Sequence, residues 1–140
     1  MQRCDMPFVS ITRLRIRGDE HLAAFSASMP VVFAQASDAP GRLAMDLLAE
    51  ANNTFWTRTV WTDRTAMREF MTSGSHGDVM PELREWCDEA HVAHWEQGGE
   101  ELPTWDEAYR RLLADGRNSA VAHPSPDHAS RNLKPPVVPE

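Results

Sequence analysis

Hydrophobic and polar residues alternate along four stretches of the chain, and this period of two predicts β-strands. The stretches are residues 8–17, 43–50, 54–61 and 91–96. The third is rich in Trp, Phe, Thr and Val, the residue types that fit a pleated surface, and it carries large apolar groups on both faces. We therefore expect this strand to be covered on both sides.

Apolar residues spaced three and four apart predict helices between these strands. The first helix can be capped by Asp19 and extends for about four turns, with Pro30 expected to kink or restart it. The second follows a cap at Thr62 or Asp63, and the small residues 73–75 interrupt it. The chain between the third and fourth strands is thus predicted to be a helix in two pieces.

The second of these pieces has its own start signal, because Ser75 and Asp78 form a plausible capping box. Its apolar stripe continues to Ala90. After the fourth strand, Thr104 begins a further capping box, and the short amphipathic helix that follows ends at Gly116. This last helix is predicted to dock on the body of the domain.

The order of these elements defines the expected fold. It is β-α-β-β-α-β plus an appended C-terminal helix, the α+β ferredoxin-like arrangement with an antiparallel sheet. Two helices cover one sheet face, and the other face still carries apolar residues that need a partner. A second copy of the chain can provide it through a self-complementary interface, so we expect a homodimer, a dimeric α/β barrel. Residues 7–116 form this domain, and residues 117–140, with five of the ten prolines, are expected to be an extended or disordered tail.

Composition narrows the cellular setting. A net charge of −7 lacks the basic footprint of a nucleic-acid binder. No apolar run approaches the roughly 20 residues that span a bilayer, and the first residues contain no apolar segment of a secretory signal. The two cysteines, Cys4 and Cys87, do not suggest a disulfide framework. The expectation is a cytoplasmic protein that binds neither nucleic acid nor membrane.

Two histidines are candidate catalytic residues. His94 lies on the fourth strand, where its neighbours would hold it as a proton shuttle or general base; alternatively it is a core histidine bonded to the backbone. His76 lies at the break in the second helix, between Ser75 and Gly77, where it would gate entry or act as a base; alternatively it is a capping residue.

Two arginines and several tryptophans are candidates for holding a substrate. Arg13 and Arg58 lie on neighbouring strands and could orient an enolate or carboxylate, with Arg58 counted among the catalytic residues; alternatively they form structural pairs with Asp46 or Glu50. The tryptophans either line a flat aromatic pocket or pack in the core: Trp56, Trp61, Trp86 and Trp95.

A metal site is not expected. Cys87, His91 and His94 contain ligand types that zinc prefers, but their spacings of four and three residues match no standard site. A strand would also place His91 and His94 on opposite faces.

Three runs of sequence carry a resemblance to a known superfamily: FVSITRLRIR, TFWTRTVW and MREFMTSGSHGDVMPELREWCDEAHVAHW. They resemble the dimeric α/β-barrel superfamily, which includes the antibiotic-biosynthesis monooxygenases, over about residues 7–97. Within it the chain looks nearest to uncharacterised proteins related to spheroidene monooxygenase, which begin with a similar Ser-x-Thr-Arg-x-Arg strand, here residues 10–15. The haem-cleaving branch of the superfamily combines an Asn on strand one with a Trp and a ligand His on helix two. Here strand one has no Asn, Phe70 lies where the Trp would fall, and Met80 lies near the position of the His, which argues against haem cleavage by that mechanism.

The resemblance implies a monooxygenase-like enzyme of secondary metabolism, acting on an aromatic or polyketide-type small molecule. A base would remove an acidic proton, and the electron-rich anion would react with oxygen directly, so no tightly bound cofactor is expected. Two alternatives stay open, a non-catalytic dimeric module that binds a small molecule and a haem-binding oxygenase.

Overall fold

The structure is a computed structural model that describes residues 6–138, so Cys4 and the last two residues of the predicted tail lie outside it. Its elements are β1 (Phe8–Ile16), α1 (Gly18–Asp38), β2 (Arg42–Glu50), β3 (Thr54–Trp61), α2 (Arg64–Thr72), α3 (Gly74–Trp86), β4 (Cys87–Glu96), α4 (Trp105–Asp115), β5 (Arg117–Asn118) and α5 (Pro126–Ser130).

The strands form one antiparallel sheet in the order β2-β3-β1-β4-β5. The predicted α+β ferredoxin-like fold is therefore confirmed, and the sheet of this single chain is open rather than closed into a barrel. The short strand β5 was not predicted. It pairs with β4 through Arg117 and Asn118, just where the expected tail begins.

Helices α1, α2 and α3 cover one face of the sheet, which we call the helix-covered face. Two apolar clusters hold this layer together. One joins Ile16 and Phe25 to the start of β4, and the other joins Phe8 and Trp61 to Met67 of α2. The alternation along β3 is as predicted, because Trp61 points to this face while Trp56 points to the other, and both side chains are buried.

The other face, which we call the opposite face, is covered by the same chain. Apolar residues of the sheet pack there against α4 and the C-terminal segment: Val9, Ile11, Leu48, Trp56, Val60, Ala93, Ala108, Leu112 and Leu133. The homodimer was expected because this face was thought to be bare, and that reason does not hold in the structure. Association with a second copy stays a prediction.

The C-terminal segment after Gly116, which was expected to be an extended or disordered tail, packs on the body of the domain. Much of it is extended, but Leu133 and His128 are buried, and its backbone bonds to the body, as in the donation from Ser119 N to the Ala90 carbonyl. The prolines prevent long regular elements, yet single apolar and polar side chains still dock on the sheet. Residues on both sides of position 116 therefore pack on the same domain.

Local signals at helix ends were correct where a side chain makes the cap. Asp63 accepts a hydrogen bond from Ala66 N, and Thr104 accepts one from Glu107 N. The capping box expected at Ser75 is not formed, since α3 already begins at Gly74. Pro30 lies inside a continuous α1 instead of dividing it.

The end of the second helix was predicted too late. Helix α3 ends at Trp86, and Cys87 and Ala90 belong to β4, where they pair with Ile16 and Leu14 of β1. Pairing along the whole of β1 outweighs the local helical spacing. Among residues 6–138, no helix has the length and hydrophobicity required to cross a membrane.

Candidate functional site

A cavity of about 100 Å³ lies between the helix-covered face of the sheet and helices α1, α2 and α3. Its walls are predominantly apolar, with contributions from all three helices and from β1, β2 and β3. The apolar lining residues include Leu14, Phe25, Met29, Val32, Phe33, Met45, Phe55, Trp61, Met67, Phe70, Met71, Val79 and Leu83. Four are methionines, whose flexible side chains allow a cavity to change shape around a ligand.

The floor of the cavity carries hydroxyl groups from two neighbouring strands. Ser10 and Thr12 of β1 lie beside Thr59 and Thr57 of β3, in direct cross-strand register. Thr59 accepts a hydrogen bond from the Trp61 indole nitrogen at 2.9 Å. The result is a narrow polar strip that can bind an oxygen-bearing substrate inside an apolar chamber.

His76 is the titratable side chain of this lining. Its Nδ1 lies 2.9 Å from the Met71 carbonyl oxygen, and because a carbonyl only accepts, Nδ1 carries the proton in the neutral ring. The lone pair is then on Nε2. Burial lowers the pKa of His76 below its ordinary value of 6.5, since desolvation disfavours the charged ring. His76 is thus a neutral base at pH 7.

Gln35 of α1 fixes the backbone around His76. Its Oε1 accepts a hydrogen bond from His76 N at 2.7 Å, and its Nε2 donates to the carbonyls of Ser73 at 2.8 Å and Phe70 at 3.2 Å. Gly74 stands at this break with φ of +55°, and a Cβ there would lie 3.3 Å from the Gln35 side chain. The break between α2 and α3 is therefore held by a side chain rather than left as a free hinge.

Aromatic rings connect His76 to the sheet. The His76 and Phe70 ring centroids are 4.7 Å apart, and those of Phe70 and Trp61 are 5.2 Å apart. These contacts place two residues predicted for the site, His76 and Trp61, in one chamber.

His94 lies on the helix-covered face, as Ser10 does beside it, but outside the cavity lining. The ring centroids of His94 and Phe8 are 5.3 Å apart, and among the described residues the buried Nε2 of His94 has no hydrogen-bond partner. Burial, and then the positive charges of Arg117 and Arg64, lower the pKa of His94 to about 4. The structure does not bring the two candidate histidines to one site.

The arginines and Trp56 lie on the opposite face, away from the cavity. Arg58 donates to Asp46 at 2.6 Å and stacks over Trp105 at 4.1 Å, so the structural pairing considered for it is present. Arg13 donates to Glu89 at 2.8 Å, and Trp56 is enclosed in the core. Neither guanidinium reaches the chamber that contains His76.

The remaining tryptophans pack at other places. Trp86 contacts the apolar cluster around Ile16 and Phe25, and Trp95 lies against the cluster on the opposite face with Arg111 over its ring. Of the tryptophans considered for substrate binding, only Trp61 lines the cavity.

Within residues 6–138, no group of three His, Cys, Asp or Glu side chains is arranged to hold a metal ion. His91 lies on the opposite face beside Arg13, whereas His94 lies on the helix-covered face beside Ser10. Burial raises the pKa of the Cys87 thiol to about 12, so this thiol is unreactive near neutral pH.

The sequence interpretation missed three features of the site: the clamp by Gln35, the hydroxyl strip and the methionine lining. A signal existed for the strip, because Ser10 and Thr12 are two residues apart and therefore lie on the same strand face, while Val9 and Ile11 lie on the other. Gln35 also interrupts the apolar stripe of α1 between Val32 and Ala36. Its partners on another helix could not be inferred from that position.

Solved structures share this fold over about two thirds of the chain. SnoaB, a cofactor-independent oxygenase from Streptomyces nogalater, is 21% identical, with a TM-score of 0.55 over 71% of this chain and 99% of that chain. A putative antibiotic biosynthesis monooxygenase from Nitrosomonas europaea is 15% identical, with a TM-score of 0.59 over 71% and 100%. Rv0793 from Mycobacterium tuberculosis is 18% identical, with a TM-score of 0.60 over 67% and 97%.

These structures share the α+β fold of the chain, which is the fold that the sequence resemblance implied. At such identities they establish the fold alone. No curated protein matches the sequence. The family model described as a domain of unknown function, DUF3291, matches residues 8–121, and the chain belongs to that family.

Proposed function

We propose that this protein is an oxygenase that acts on an aromatic or polyketide-type small molecule without a tightly bound cofactor. The observation that carries the proposal is His76, a neutral histidine with a fixed tautomer in the wall of an apolar cavity. The fold shared with SnoaB, itself described as a cofactor-independent oxygenase, supports the same assignment. Because fold does not determine activity, the site must carry the chemistry.

In the proposed reaction, His76 Nε2 removes a proton from an acidic C–H of the bound substrate. The resulting carbanion, whose carbon keeps a second hydrogen, gives one electron to dioxygen, and the two radicals combine into a peroxide anion at that carbon. The proton held on His76 Nε2 then returns to the peroxide and converts it into a hydroperoxide. Loss of water from the hydroperoxide leaves a carbonyl group, so one oxygen atom enters the product and the other leaves as water. The apolar walls of the cavity provide a low dielectric, which strengthens the interaction of the anion with the hydroxyls of Thr12 and Thr57.

The cavity suits a small flat molecule better than a haem. Its volume of about 100 Å³ is far below that of a porphyrin. A cavity of roughly 150 Å³ holds one benzene ring. A fused-ring substrate would therefore require shifts of methionines such as Met29 and Met67, which line the helix side.

The test compares His76→Asn with the wild type in oxygen uptake. The Asn amide can still donate to the Met71 carbonyl but supplies no base, so folding is preserved while proton removal is lost. The substrates are fused-ring hydroxyaromatics that carry an acidic C–H beside a carbonyl group. We expect turnover to fall by about 10² or more, the scale of a general base. His123→Asn, at an exposed position, is the matched control.

Three outcomes would contradict the proposal. Equal turnover in wild type and folded His76→Asn would exclude His76 as the base and return His94 to consideration. Saturable binding of these compounds by the wild type, measured by calorimetry, with no oxygen uptake would favour the binding module. A Soret band after incubation with haem would support the haem-binding alternative.

A further inference from the structure

A second and larger cavity, of about 650 Å³, lies on the opposite face of the sheet. Its walls come from the ends of β1 and β4, the hairpin between β2 and β3, and residues 127–137 of the C-terminal segment. This volume is within the usual range of small-molecule sites. The sheet separates it from the chamber of His76, so an inference about it is independent of the proposed oxygenase activity.

Three basic and three acidic side chains line this cavity. The acidic groups accept hydrogen bonds from the chain itself, whereas the basic groups keep donors that are not used. At the floor of the cavity the carboxylate of Glu89 accepts hydrogen bonds from two guanidinium groups. Glu89 Oε1 accepts from Arg13 at 2.8 Å, and Glu89 Oε2 accepts from Arg15 at 3.0 Å and from the Ser125 hydroxyl at 2.7 Å. These bonds hold the pKa of Glu89 below its ordinary value despite burial. Asp88 approaches Arg15 only to 3.7 Å.

The other two carboxylates of the lining are also occupied within the chain. Glu50 accepts one hydrogen bond from the Trp56 indole nitrogen at 2.7 Å and another from the backbone of Val137. Asp127 accepts from the Asn132 amide at 3.2 Å. All three carboxylates of the lining therefore already accept hydrogen bonds from the chain itself.

The basic groups retain unused donors. Arg13 is buried, with 7% of its surface exposed, and directs only Nη1 to Glu89. Arg15 is 40% exposed at its side chain, so part of its guanidinium faces the open space. Within residues 6–138, Lys134 has no acidic partner at ion-pair distance. An arginine fork beside an ammonium group is an arrangement that recognises oxyanions.

We propose that this cavity is a binding site for a small organic anion that carries a carboxylate or phosphate group. Arg13 and Arg15 form the floor that receives the oxyanion, and Lys134 closes the site from the C-terminal segment. Binding would tie that segment to the sheet, since Lys134 follows directly on Leu133, which is buried against the core.

The experiment uses malonate and inorganic phosphate as probes, titrated calorimetrically into the full chain at constant ionic strength set with chloride. We expect saturable binding of at least one probe to the wild type. Binding of malonate alone would assign a carboxylate ligand, and binding of phosphate alone would assign a phosphate ester. The Arg15→Gln/Lys134→Gln variant should raise the Kd at least tenfold, because the loss of one hydrogen bond from a charged donor lowers affinity by roughly that factor.

The control variant, Arg68→Gln/Arg110→Gln, removes the same charge from α2 and α4, away from the cavity, and should change the Kd less than twofold. Equal weakening in both variants would show a general charge effect and overturn the site. So would the absence of saturable binding of either probe to the wild type.

A second measurement needs no substitution, because Lys134 is the only lysine in the sequence. Acylation of its amine by an N-hydroxysuccinimide ester, followed by mass spectrometry, should slow several-fold at a saturating probe concentration. An unchanged acylation rate with the probe bound would show that Lys134 is not part of the site.

Discussion

Leu133 tests whether the C-terminal segment is part of the folded core. Its side chain is 5% exposed and packs on a cluster with Ile11, Trp56 and Leu112. Leu133→Ala removes buried methyl groups and leaves a cavity, which costs about 2–5 kcal/mol of unfolding free energy in comparable cores. For a chain of 140 residues this is a fall in Tm of roughly 10 °C.

The matched control lies four residues further along the same segment. Val137 is 74% exposed, so Val137→Ala should change the unfolding free energy by less than about 0.5 kcal/mol. Both variants are compared with the wild type by urea denaturation and by thermal melting monitored with circular dichroism. If Leu133→Ala melts at the same temperature as Val137→Ala and the wild type, the segment does not contribute to the core, and the extended or disordered tail expected from sequence is the correct description.

Three further predictions follow from contacts in the structure. Gln35→Met removes three hydrogen bonds around His76, so we expect the free energy of unfolding to fall by roughly 1–3 kcal/mol. We also expect a lower turnover number for any oxygenase activity, and unchanged oxygen uptake would show that the Gln35 clamp has no role in it. Desolvation lowers the pKa of both His91 and His94 to about 4 from 6.5, so the unfolded chain binds these protons first as pH falls. The stability contributed by each neutral ring should be complete above pH 6.5 and decline by on the order of 3 kcal/mol per histidine by pH 4 in urea denaturation, and a flat profile would refute this. Truncation after Gly116 should uncover the opposite face and cause self-association in light scattering, whereas a well-folded, unassociated product would show that α4 alone covers it.

Sequence by itself determined the features that depend on near neighbours along the chain. The period of two in residues 54–61 defined β3 and its burial on both sides, because side chains alternate across any strand. Asp63 and Thr104 marked helix starts correctly, since a cap bonds only two or three residues ahead. The order of these elements was enough to specify the ferredoxin-like topology.

Tertiary structure decided what depends on pairing between distant segments. Cys87 became the first residue of β4 because β1 offered it a partner, although its local spacing was helical. Which face of the sheet lines the apolar cavity could not be read from alternation, which defines two faces without saying what covers each. That choice placed His76 with Trp61 and moved Arg13, Arg58 and Trp56 to the other side. Leu133 packs on the core as a single apolar side chain in a proline-rich segment, and a single contact of this kind produces no periodic pattern in the sequence.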